Sequence, residues 1–153
     1  MKNRYLAVFL GIFIVSAVAT KAQEAFPVKQ HPSDKPFIFT QLPERSICIA
    51  EELQELFRTS LSAAINIHLT GGAILRGVLA EKIQRSPGMT TINIKLSDYP
   101  GTLFNISLNE QPGHLPVMIG RIIHPQSGDV LVLIQENSQY YLQKKLQKFF
   151  MIE

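Results

Sequence analysis

Histidine, serine and aspartate are the side chains of nucleophilic hydrolysis, and "IIHPQSGDVLVLI" (residues 122–134) holds one of each, at His124, Ser127 and Asp129. Such chemistry needs the imidazole between the nucleophile and the orienting acid, with N–H donors aimed at the developing oxyanion. The local pattern predicts a turn instead. "HPQSGD" lies between two apolar runs, "VMIGRII" and "VLVLI". Pro125-Gln126-Ser127-Gly128 has the composition of a four-residue hairpin loop, with proline early and glycine at the left-handed position. His124 and Asp129 then become facing strand ends, and Ser127 sits at a solvated tip. No G-x-S-x-G nucleophile elbow occurs in the chain.

The remaining chemical side chains are dispersed. His31, His68, His114 and His124 lack the close spacing of metal ligands, with His114 in a Pro112-Gly113 loop. Cys48 is the single cysteine, which rules out an intramolecular disulfide, and it reads as a small buried apolar side chain. Glu51, Glu52 and Glu55 read as a solvated face. No residue is assigned to catalysis, a cofactor or a metal. The interaction candidates are Tyr99 in an Asp-Tyr-Pro-Gly turn, His114, His124, Asp129, and Tyr140 and Tyr141 beside Lys144, Lys145 and Lys148.

The front of the chain says where these residues work. Lys2 and Arg4 precede an apolar run over residues 5–19, and Ala17-Val18-Ala19 matches a signal-peptidase site, with Thr20-Lys21-Ala22 as a second. Residues 1–22 are therefore expected to be a secretory signal, cleaved or retained as an anchor. Membrane contact is expected only through that segment if it is retained. The formal charge of +3 resides there too. Lys2, Arg4 and Lys21 supply it, and from Gln23 onward acids and bases balance. The basic pI is thus no argument for a nucleic-acid partner.

Residues 23–43 hold Pro27, Pro32, Pro36 and Pro43, which predicts an extended segment wrapping or tethering a domain over 44–153. Ile49, Leu53, Leu56, Phe57 and Leu61 follow helical spacing, predicting an amphipathic helix over 43–61. "INIHLT" and "AILRGVLAEKI" flank a Gly71-Gly72 hairpin turn. "TINIKLS" and "TLFNISLN" flank Asp98-Tyr99-Pro100-Gly101, and a third hairpin holds the His-Ser-Asp segment. The first two hairpins read as a short internal repeat. The unbroken "VLVLI" at 130–134 predicts a strand covered on both faces. Leu142, Leu146, Phe149 and Phe150 predict a short C-terminal helix capped by Ser138.

Locally, residues 56–81 resemble the helix and first two strands of Sm-like small barrels. Ile65, Ile67, Leu69, Gly72 and Gly77 fill the family's hydrophobic and glycine places. The family's second motif, with its Arg-Gly pair, is missing, so the resemblance implies no RNA-binding residue.

These readings predict an α+β fold: an N-terminal amphipathic helix packed on a mostly antiparallel six-stranded meander, a sheet or partial small barrel, with a short C-terminal helix. The expected function is an exported (periplasmic or secreted), non-catalytic binding module of the bacterial envelope type. It needs no cofactor and engages an unknown protein or peptide partner. The alternative is a small envelope hydrolase with a site assembled from His114, His124, Asp98 and Asp129.

Overall fold

Asn137 and Ser138 both adopt positive φ, 50° and 64°. Two left-handed residues in succession make the turn whose twist suits a tight hairpin. Ser138 is therefore a turn residue and caps no helix. It returns the chain as a strand, β8 (Gln139–Leu146), paired along its length with β7 (Asp129–Glu136). Leu142 and Leu146 are four apart, a spacing shared by helix and strand. The buried Tyr140 and Leu142 against the less buried Tyr141 and Gln143 show that period two governs.

The computed structural model describes residues 35–147. The signal segment, Pro27, Pro32, Phe149 and Phe150 lie outside the described residues. Within them the fold is nearly all β, which overturns the expected α+β architecture. The elements are β1 (Arg45–Cys48), α1 (Ala50–Glu55), β2 (Ala64–His68), β3 (Ile74–Ser86), β4 (Met89–Leu96), β5 (Leu103–Asn109), β6 (Val117–Ile123), β7 and β8. The eight strands form one antiparallel sheet in the order β1-β8-β7-β6-β5-β4-β3-β2. The three expected hairpins are all present, as β2–β3, β4–β5 and β6–β7. Of the local barrel resemblance over residues 56–81, the two strands are present and the helix is not, since α1 ends at Glu55 before that stretch begins.

The long N-terminal helix is replaced by β1 and the six-residue α1. Along 45–48 burial alternates, with Ser46 and Cys48 inside, and Ile47 and Ile49 are β-branched residues that helices disfavour. Pairing of β1 with β8 covers an edge that would otherwise be open. The expected apolar stripe breaks up accordingly. Leu53, Leu56 and Phe57 are buried, while Ile49 and Leu61 at its ends are 47% and 57% exposed.

The sheet curls until its edges almost meet. Cys48 bridges Leu69, and Thr70 N–H donates to the Ile47 carbonyl at 3.1 Å. Beyond that bridge α1 stands in the gap, where Glu52 accepts the β2 edge N–H of His68 at 3.0 Å and its Nδ1 at 3.0 Å. The barrel is a filled one. Ile67, Leu79, Ile92, Ile94, Phe104, Ile106, Met118, Ile122 and Leu131 point inward with almost no exposure. Asn66, Arg76, Lys95 and Arg121 face water. Two inward positions are glycines for want of room. A Cβ on Gly77 would lie 2.5 Å from the Lys95 carbonyl oxygen, and one on Gly120 would lie 2.7 Å from that of Asn105. Strands approach this closely where a barrel wall bends.

Candidate functional site

The His-Ser-Asp segment is a clasp. Ser127 and Asp129 are buried, not solvated, because the proline-containing strap at 35–39 lies over them. The Asp129 carboxylate accepts the backbone N–H of Ile38 at 3.0 Å and of Phe39 at 3.2 Å, and the Ser127 hydroxyl donates to it. Gly128 N–H donates to the Pro36 carbonyl at 2.9 Å, and Lys35 Nζ to that of Pro125 at 2.9 Å. The turn runs from His124 to Ser127, closed by Ser127 N–H on the His124 carbonyl at 3.0 Å. It thus begins one residue earlier than the composition suggested. Gly128 is needed for space, since a Cβ there would sit 2.6 Å from the Lys35 carbonyl oxygen. His124 is turned away from the clasp; its Nδ1 accepts the Gln126 N–H at 3.1 Å. Serine and aspartate are hydrogen-bonded without an imidazole between them.

The other interaction candidates separate into three places. Tyr99 is half-buried at the clasp end, edge-on to Phe39 with ring centroids 5.3 Å apart. Burial, with the Asp98 and Asp129 charges, raises its phenol pKa above the ordinary value. Asp98 is engaged by Arg76, accepting its backbone N–H at 3.0 Å. His114 is exposed on the β5–β6 loop at the opposite end of β6. Tyr140 and Tyr141 point to opposite faces of β8. Tyr141 lies outside under the Arg45 guanidinium, 3.7 Å from its ring centroid, and Tyr140 is buried. The four residues proposed to assemble a hydrolytic site therefore do not converge. Cys48 is buried, and that burial pushes its thiol up to about 12, with the Glu52 charge adding to the rise, which disfavours the reactive thiolate. Among the described residues, no group of three or more His, Cys, Asp and Glu is placed to hold a metal ion.

The feature that sequence reading missed lies between β6 and β7. β6 pairs with β5 over its whole length, from Leu103↔Ile123 to Asn109↔Val117. With β7 it pairs only at Gly120, Arg121 and Ile122. At Gly120 the missing side chain lets β6 press against β5, and from there toward Val117 it leaves β7. In the gap the Met118 N–H donates to the Tyr140 hydroxyl at 3.0 Å. Here lies an outer cleft of about 390 Å³, lined by the apolar Ile119, Val132 and Leu133, by Gly120, and by the polar Asn105, Ser107 and Arg121. It continues into an apolar stripe of Ile119, Val117 and Leu115, which are 63%, 41% and 82% exposed. Arg121 takes part in none of the ion pairs among the described residues. Comparison with protein-family models, curated proteins and solved structures gives no match.

A signal for the cleft was present in "VMIGRII". Apolar residues there occupy both strand faces: Met118 and Ile122 inside, Val117, Ile119 and Ile123 outside. In an antiparallel barrel with a filled interior, outward apolar residues on one strand are the exception.

Proposed function

We propose that this chain is an exported binding module that holds an extended, apolar polypeptide segment carrying an acidic residue. The observation that carries this reading is the β6–β7 cleft. Ile119, Val132 and Leu133 line it, β6 has lost part of its pairing with β7 beside it, and the Arg121 guanidinium in its lining is in no ion pair among the described residues. An extended peptide suits such a place, because its alternate side chains can enter the cleft. A carboxylate on the peptide would gain an ion pair with the exposed Arg121, a contribution of about 0.2–1 kcal/mol. Export is supported by the basic n-region, the apolar run and the A-x-A site at the front of the chain. The same reading leaves chemistry to the partner, consistent with a clasp whose serine and aspartate are committed to the strap.

Calorimetric titration with two synthetic peptides tests it, acetyl-(Val-Glu)₃-amide and acetyl-(Val-Lys)₃-amide. The acidic peptide should bind and the basic one should not. Arg121→Glu should reverse the preference, and Ile119→Asp should abolish binding to either. Equal heats for both peptides, or a preference unchanged by Arg121→Glu, would overturn the proposal.

A further inference from the structure

On the outer face of the barrel one register row runs Glu81, Asn93, Asn105, Arg121, through β3, β4, β5 and β6. A bulge makes the row possible. Leu75, Gly77 and Leu79 are buried at alternate positions of β3, and unbroken alternation would turn Glu81 inward as well. The register shifts between Leu79, opposite Ile94, and Glu81, opposite Asn93, so Ala80 is the extra residue and Glu81 is re-aimed outward. There Asn93 Nδ2 donates to Glu81 Oε2 at 2.5 Å, and Asn105 Nδ2 donates to Asn93 Oδ1 at 2.6 Å. Chemistry dictates the sense of both bonds. A carboxylate only accepts, so Asn93 must give Glu81 its NH₂ and offer Asn105 its oxygen, and Asn105 must answer with its own NH₂. The nitrogen and oxygen of an amide lie on opposite sides of the Cβ–Cγ bond. With its nitrogen toward β4, Asn105 turns its oxygen toward β6 and the cleft that it lines. Ser107, the other polar β5 residue there, meets Thr91 at 2.8 Å through hydroxyls that can donate either way, so its sense is not fixed.

We propose that Asn105 reads the ligand of the cleft and that Glu81, acting through Asn93, is the positioning residue that fixes what it reads. The inference rests on the peptide reading above and narrows its ligand. The bound segment pairs an acid with Arg121 and, two residues along, brings a hydrogen-bond donor side chain to the Asn105 oxygen. The spacing suits an extended chain. Residues two apart share a face about 7 Å from one another, and Asn105 and Arg121, directly opposed on β5 and β6, start from Cβ atoms about 5 Å apart. A second carboxylate at that place would set its lone pairs against the Asn105 oxygen, whereas a donor satisfies it. Because the ladder holds the amide before the ligand arrives, little ordering remains to oppose binding.

Two relatives of acetyl-(Val-Glu)₃-amide test it, with the central glutamate as its γ-methylamide or as its γ-methyl ester. The two match in charge and closely in shape, and only the methylamide has an N–H. The wild-type protein should bind the methylamide about two- to tenfold tighter, the worth of one neutral hydrogen bond. Glu81→Lys puts a donor-only group at the head of the row and should turn both amides over, so that Asn105 offers its NH₂ and the preference disappears. A purely structural Glu81 would change stability and leave the preference alone. In the unliganded protein the Asn105 side-chain amide signal should move in Glu81→Lys, while the backbone amides of Thr91 and Ser107 stay in place. Equal affinities for the two peptides, a preference that survives Glu81→Lys, or an unmoved Asn105 signal would each overturn the proposal. Binding of acetyl-(Val-Glu)₃-amide alongside any of these outcomes leaves the peptide reading standing; failure of that peptide to bind overturns both.

Discussion

The Tyr140 hydroxyl accepts the Met118 N–H at 3.0 Å across the gap where β6 and β7 have parted. A ladder bond between neighbouring strands is thereby replaced by one side chain from the strand beyond. Both residues are buried, so the N–H has no water to fall back on.

Removing that hydroxyl isolates the donor. Tyr140→Phe should cost about 1–3 kcal/mol, the range for a buried group left unsatisfied, while preserving the fold. Chemical denaturation gives the loss, and faster amide exchange at Met118 gives its location. A neutral substitution would mean that the gap is wet and that the cleft reaches deeper than the buried Met118 implies.

Asp129 holds the strap through two backbone donors, Ile38 and Phe39, and one hydroxyl. Asp129→Ala should destabilise by about 2–4 kcal/mol, with faster exchange at both amides, since buried donors lose their acceptor. Ser127→Ala should cost less, about 1 kcal/mol, because the carboxylate keeps its backbone bonds. A catalytic serine would show the reverse pattern: little change in stability and loss of an activity.

Cys48 gives the pH prediction. Its thiol is raised to about 12 in the folded protein, chiefly by burial. The folded state therefore holds this proton more tightly than the unfolded chain. Below the ordinary thiol pKa both states are protonated and the group has no effect on the slope. Above it the unfolded chain ionises first, so stability falls as pH rises toward 12. Native protein should also stay unreactive to a disulfide reagent at pH 9, and react once denatured. Rapid labelling of the native thiol at that pH would show that β1 opens from the bridge at Leu69.

Part of this architecture was readable from residue order. Gly71-Gly72 and the period-two runs at Ile65 and Ile67, and at Ile92, Ile94 and Leu96, gave the antiparallel hairpins, because turn chemistry and strand alternation are local. The two expected helices failed for a common reason. Apolar residues four apart, such as Leu142 and Leu146, satisfy both periods, and only pairing with β7 decides between them. The same holds for 45–48, where the open edge of β8 recruits a segment that reads as helix by itself. The clasp was misplaced because its burial depends on a strap some ninety residues away in sequence. The cleft was missed because it depends on where pairing stops, at Gly120 opposite Leu133.

Chemical-shift mapping tests the cleft most directly. Titrating isotopically labelled protein with acetyl-(Val-Glu)₃-amide should move the amide signals of Met118, Ile119, Gly120, Arg121, Val132 and Leu133 as one saturable set. The clasp amides of Ile38 and Phe39 should stay in place. Saturable shifts centred elsewhere, or none at these six residues, would contradict the assignment of the β6–β7 cleft as the binding surface.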